Sequence, residues 1–136
     1  MLMSTNLQTI LNPISGDMQA LNGVIRDRLS SEVALINQIS AYIIEAGGKR
    51  IRPALLLLTS QAIANGAPVS HHLDMAAVVE FIHTATLLHD DVVDESHLRR
   101  GRATANAAFG NAASVLVGDF LYSRAFQMME IGRAHV

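Results

Sequence analysis

The chain is 136 residues long, 50% hydrophobic and 16% charged, with a net charge of −2. That is enough for one globular unit, and nothing in the charge balance calls for a nucleic-acid partner. Cysteine is absent, which rules out disulfides, thiolate metal sites and cysteine nucleophiles.

Aromatic residues are scarce (Phe 4, Tyr 2, Trp 0). With Ala, Leu, Ile and Val plentiful, this composition favours helix packed on helix. Residues 54–64 are apolar but too short to span a bilayer. The N-terminus lacks the basic-then-apolar pattern of a secretory signal, so a cytoplasmic location is expected.

Pro13 and Gly16 set off a variable N-terminal arm, residues 1–16. The spacing of Met18, Leu21, Val24, Ile25 and Leu29 predicts a helix from about Asp17. Ser30 and Ser31 with Glu32 predict a cap for a second helix carrying Val33, Ile36, Ile39, Tyr42 and Ile43. Gly47-Gly48 should stop it. Pro53 suits the first turn of a third helix over residues 54–64, and Asn65-Gly66-Ala67-Pro68 reads as a turn. A fourth helix runs from about Ser70 through Val78, Val79, Ile82, Leu87 and Leu88 to Asp90-Asp91-Val92-Val93-Asp94. Residues 96–104 are polar and basic and contain Gly101, so they read as a loop. A further helix covers 106–117, continuing or breaking near Gly118 into 119–129. No alternating strand pattern, internal repeat or low-complexity segment is visible. The expected class is all-α.

The last seven residues, Glu130-Ile131-Gly132-Arg133-Ala134-His135-Val136, follow a helix in mid-course without completing a packing pattern. They match the translation of a common sequencing adapter. Residues 130–136 are therefore expected to be a non-native tail, and residues 17–129 the N-terminal part of a larger helical domain.

The acidic stretch carries the chemistry. The helix repeat puts Asp90 and Asp94 one turn apart on one face, with Asp91 about 100° round from Asp90. Carboxylates at a helix C-terminus oppose the dipole, and a divalent cation relieves them. Oxygen ligands alone suit a hard ion such as Mg2+, completed by water and substrate phosphates. Two turns back lies His83. The stripe from Asp94 through Asp90, Leu87, Thr86 and His83 to Ile82 and Val79 suggests a metal above an apolar channel.

Two basic groups flank this helix. Lys49 and Arg52 sit where a Gly-Gly turn meets a helix start, which lets backbone approach a ligand closely. Arg99 and Arg100 follow the acidic stretch, and arginine forks suit phosphate oxygens. Each piece has a plainer reading: a solvated helix end, a surface patch, a satisfied core histidine. Together they point to a diphosphate met once through metal and once by direct cationic contact. Glu80-Phe81-Ile82-His83 also fits half of a ferritin-like two-metal site, but the second such motif is missing.

Three stretches then resemble the trans-polyprenyl diphosphate synthase family: Gly47-Gly48-Lys49-Arg50-Ile51-Arg52-Pro53, the run from Phe81 to Asp94, and Arg99-Arg100-Gly101. The likeness spans most of residues 17–129. It implies an isoprenoid synthase-type helical bundle around a deep cavity, cut to its N-terminal helices, and a homodimer in the full-length protein. It implies that Asp90 and Asp94 hold Mg2+ on an allylic diphosphate, with Asp91 in support. Arg99 would contact the allylic diphosphate. Lys49, Arg52, His83 and Arg100 would bind isopentenyl diphosphate. The implied reaction is successive condensation of isopentenyl diphosphate onto an allylic diphosphate, giving an octaprenyl-length product for quinone side chains.

Peripheral membrane contact for product release goes with that chemistry, with no transmembrane segment. Small Ala85 and Thr86 beneath Asp90 imply a long product. The family's second aspartate-rich motif is missing from the 136 residues. The chain alone is thus expected to be inactive and to expose apolar helix faces. The rival reading is a non-catalytic subunit of a heteromeric synthase.

Overall fold

The computed structural model describes residues 2–45 and 48–134. Gly47, half of the expected Gly-Gly stop, and the tail residues His135 and Val136 lie outside them.

The described residues are almost wholly helical. In chain order they form α1 (Leu2–Leu11), a 3-10 turn (Asn12–Ile14), α2 (Ser15–Leu29), α3 (Ala34–Glu45), α4 (Ile51–Ala64) and α5 (His72–Val93). A two-stranded ladder follows, β1 (Leu98–Arg99) and β2 (Arg102–Ala103), then α6 (Ala105–Phe109) and α7 (Asn111–Ala134). The all-α expectation holds.

Helix α5 is the central element. It packs most extensively on α7, then on α4 and α2. Its buried face holds Ala76, Ala77, Val78, Phe81, Ala85 and Leu88. Leu21 and Ile25 of α2, Ile39 of α3, Leu57 of α4, and Val117, Leu121 and Ala125 of α7 close the same core. Alanines on α5 and α7 allow close backbone approach, and burial of the larger side chains supplies the driving force.

The stretch before Asp17 holds α1 and the 3-10 turn. Ile14 is fully buried, and the Gln61 side-chain amide donates to the Pro13 carbonyl at 3.1 Å. Ser31 braces the turn that leads into α3. Its hydroxyl accepts from the Val33 N–H, outside the helix, at 3.1 Å, and Asn37 exchanges hydrogen bonds with the Ser31 backbone at 2.9 and 2.7 Å.

Of the two alternatives at Gly118, the helix continues; the break falls at Gly110, inside the stretch expected to be helical, where a φ of 94° favours glycine. Gly118 lies inside an unbroken α7. A Cβ there would run into the His89 ring of α5, so this glycine sets the close approach of the two helices. Helix α7 continues through residues 130–134 of the expected tail. No helix among the described residues is long and apolar enough to cross a membrane.

The loop expected over 96–104 contains the short antiparallel ladder, with Leu98 opposite Ala103 and Arg99 opposite Arg102. Strands of two residues leave no alternating signal to read. Arg100 and Gly101 at its tip have φ of 55° and 74°. Two successive left-handed residues match the twist of a tight hairpin.

Candidate active site

Helix α5 presents His83, Thr84, Leu87, Leu88 and Asp91 to a cavity of about 230 Å³. Residues 48–52, which lead into α4, and the β1–β2 hairpin also line it. Ile25 and Leu29 of α2, Phe81 and Leu121 form an apolar floor.

Six cationic residues of the described chain line this cavity: Lys49, Arg50, Arg52, Arg99, Arg100 and Arg102. They come from two segments about fifty residues apart. All five residues expected to bind substrate, Lys49, Arg52, His83, Arg99 and Arg100, are brought together here. Glu80 and Asp91 are the carboxylates facing them. An excess of cations over an apolar floor is the arrangement an anionic headgroup with a hydrocarbon tail would fit.

Local backbone geometry aims these groups. Arg50 precedes α4 in a left-handed conformation, φ 54°, and its guanidinium reaches Asn22 of α2. Arg52 Nη1 lies 3.3 Å from His83 Nε2. A Cβ at Gly48 would overlap the Arg100 guanidinium. The glycine therefore admits the Arg100 head, and it also lines the cavity.

Asp91 is buried, and its carboxylate takes a bidentate contact from Arg99: Nη2 to Oδ1 at 2.6 Å and Nε to Oδ2 at 3.1 Å. Arg99 is held above its ordinary pKa by that hydrogen bond, partly offset by burial, with the charges of Asp91 and Asp90 adding to it. His83 is held below its ordinary value of 6.5. Burial is the main cause and the Arg52 charge the second; Glu80 opposes the shift, and Arg99 and Arg100 reinforce it. Its resting form is therefore the neutral imidazole at neutral pH.

Asp90 and Asp94 are exposed at the C-terminal end of α5, where the Asp94 N–H donates to the Asp90 carbonyl at 2.8 Å. Neither lines the cavity, although the Asp90 charge is felt at Arg99. Among the described residues no three His, Cys, Asp or Glu gather as a metal-binding group. Asp91 is engaged by Arg99, so the donor set narrows to the pair Asp90 and Asp94. Two exposed carboxylates at a helix end fit a hard cation that keeps water and takes its remaining oxygens from phosphates.

Ala85 and Thr86 stand apart from the cavity. Ala85 is fully buried in the core. The Thr86 hydroxyl donates to the Ile82 carbonyl at 2.9 Å and lies 2.9 Å from the Tyr122 hydroxyl of α7.

Sequence reasoning missed Arg50, Arg102 and Tyr42 as neighbours of this site. Arg102 had a signal, the run of three arginines and a glycine at the hairpin tip. Tyr42 had none beyond its place on the apolar face of α3.

A family model described as polyprenyl synthetase matches residues 33–134. Octaprenyl diphosphate synthase of Escherichia coli is 60% identical over 124 residues, which are 91% of this chain and 38% of that protein. The crystal structure of a decaprenyl diphosphate synthase from Rhodobacter capsulatus superposes with a TM-score of 0.81 at 52% identity, covering 90% of this chain and 38% of that one. A polyprenyl synthase from Caulobacter crescentus, solved with calcium and isoprenyl diphosphate, gives 0.80 at 50% identity, covering 88% and 36%. The chain thus spans well under half the length of the relatives it matches. On sequence and on fold alike, it belongs to the polyprenyl synthetase family.

Proposed function

We propose that this chain supplies the diphosphate-binding part of a prenyltransferase that lengthens an allylic diphosphate with isopentenyl diphosphate to a long all-trans product, of octaprenyl length, for quinone side chains. The observation that carries it is the convergence of Lys49, Arg52, His83, Arg99 and Arg100 on one cavity with an apolar floor.

The chemistry needs both halves of that cavity. Release of diphosphate from the allylic carbon develops negative charge, and cations placed beforehand stabilise it more as it grows. The allylic cation left behind must be kept from water, which the apolar floor favours. The alkene of isopentenyl diphosphate then attacks and a proton is lost. Two cationic segments on one cavity can orient two diphosphates side by side, turning an encounter into an aligned attack.

Mg2+ is the cation proposed for Asp90 and Asp94, where it would neutralise diphosphate charge. Asp91 would act by holding Arg99, which is assigned the allylic diphosphate. Lys49, Arg52, His83 and Arg100 are assigned isopentenyl diphosphate. The calcium and isoprenyl diphosphate of the Caulobacter crescentus relative support a divalent metal and this substrate class. The small Ala85 and Thr86 are proposed to leave room for a long product. A homodimeric, cytoplasmic full-length protein, touching the membrane only to release product, belongs to the same proposal. So does the reading of residues 17–129 as the N-terminal part of that synthase's helical domain.

Calorimetric titration with inorganic diphosphate and with isopentenyl diphosphate, with and without Mg2+, tests the binding. The expected result is binding that fails in Arg52→Ala and Arg99→Ala. No binding at all would overturn it. The chain alone is proposed to bind without turnover. Extractable labelled product from labelled isopentenyl diphosphate and the purified chain would overturn that part.

A further inference from the structure

The hairpin that carries Arg99 and Arg100 is a weak element by itself. Each strand has two residues, far short of what a hairpin needs to stand alone. Its base is tied where the chain leaves α5 and enters α6. The Thr104 N–H donates to the His97 carbonyl at 2.9 Å. The Thr104 hydroxyl and the Asn106 amide donate to the Ser96 carbonyl at 2.8 and 2.9 Å.

Tyr42 reaches it from elsewhere in the fold. Its hydroxyl donates to the Ala103 carbonyl at 2.6 Å, across 61 positions of sequence. The Arg102 guanidinium lies over its ring, 3.8 Å from the centroid. Phe109, at the end of α6, meets the ring edge-on at 5.2 Å and 83°. The helix beneath it is anchored, since Ile39 of α3 is fully buried. One side chain on a core helix thus grips strand β2 by a hydrogen bond and a stacked cation, and braces α6 behind it.

We propose that Tyr42 is a positioning residue that fixes the arginine hairpin over the cationic cavity. Arg99 and Arg100 then meet a diphosphate with their heads already placed, and less freedom is lost on binding. The inference deepens the proposed function and rests on it for the identity of the ligand. Tyr42 itself need not touch the ligand.

Tyr42→Leu and Tyr42→Phe in the 136-residue chain test it. Hydrogen-exchange mass spectrometry follows the hairpin and α7 separately, and calorimetry follows inorganic diphosphate. Tyr42→Leu should speed exchange over residues 98–103 and weaken diphosphate binding about tenfold, the scale of one charge-assisted contact. Exchange in α7 should not change. Tyr42→Phe, which keeps the stacked ring, should recover part of both losses.

Equal loosening of hairpin and α7 would overturn the proposal, as would a loosened hairpin with undiminished affinity or a wild-type response in Tyr42→Leu. A wild-type chain that ignores diphosphate, with hairpin exchange still governed by Tyr42, strikes the ligand assignment and leaves the strut standing.

Discussion

Arg99 grips Asp91 through both carboxylate oxygens, yet the two partners differ in exposure: the Asp91 side chain is 8% exposed and that of Arg99 44%. Removing one partner is therefore not equivalent to removing the other. Arg99→Ala strands a buried carboxylate, whereas Asp91→Ala frees an arginine that water can reach. Allowing for the exposed half of the pair, Arg99→Ala should destabilise by about 2 kcal/mol and Asp91→Ala by clearly less. Urea denaturation of both variants checks the order. Arg99→Lys should fall between the wild type and Arg99→Ala, because lysine keeps the charge but loses the fork.

His83 predicts two pH effects. Its pKa is lowered in the folded chain, by burial first and by Arg52 second. The unfolded chain then binds more protons near the ordinary histidine value, so stability falls as pH drops through that range. His83→Gln should flatten this slope. A bound diphosphate would favour the imidazolium, so binding should take up a proton and tighten from pH 7.5 to 6. Calorimetry in buffers of different ionisation enthalpy measures the uptake, which should vanish in His83→Gln.

Gly118→Ala should destabilise the α5–α7 contact despite the better helix propensity of alanine. The propensity gain is about 1 kcal/mol. Against it stands overlap with the His89 ring, which also lies 3.4 Å from Asp119 and 3.3 Å from the Val115 carbonyl. Displacing that ring should leave a net loss of about 1–3 kcal/mol. The double variant Gly118→Ala/His89→Ala should recover much of it, and thermal melting of the four chains closes the cycle.

Ala85→Phe should cost about 1–3 kcal/mol through overpacking, since Ala85 is fully buried among core side chains. Thr86→Phe, at an exposed position, should be tolerated better. A product-length assay on any complete enzyme carrying Ala85→Phe is meaningful only beside its melting temperature. Shortened product with an unchanged melting temperature would favour the channel role.

The sequence was most legible where periodicity is long. Helix α5 could be read from Val78 to the aspartates, and Pro53 marked the start of α4. The cationic group that lines the cavity was legible because arginines, lysine and histidine stood beside turn signals. Less legible was which way Asp91 faces. A helical wheel separates it from Asp90, but only the Arg99 contact turns it into a buried structural anion. Ala85 lies about 120° round from Asp91 on the same wheel, a hint that it faces core and not cavity. The hairpin was hidden by its brevity, and the roles of Gly48 and Gly118 by their partners. Each of those glycines answers to a side chain far along the chain, which no local pattern reveals.

The seat that Gly48 offers to Arg100 has a consequence for how this region can vary. Surface hairpins ordinarily accept insertions and deletions. Here, one residue more or less between Leu98 and Ala103 would swing the Arg100 head off its glycine. Length at this bend is thus as constrained as residue identity, and a swap in from a longer-looped protein should fail even with every arginine retained.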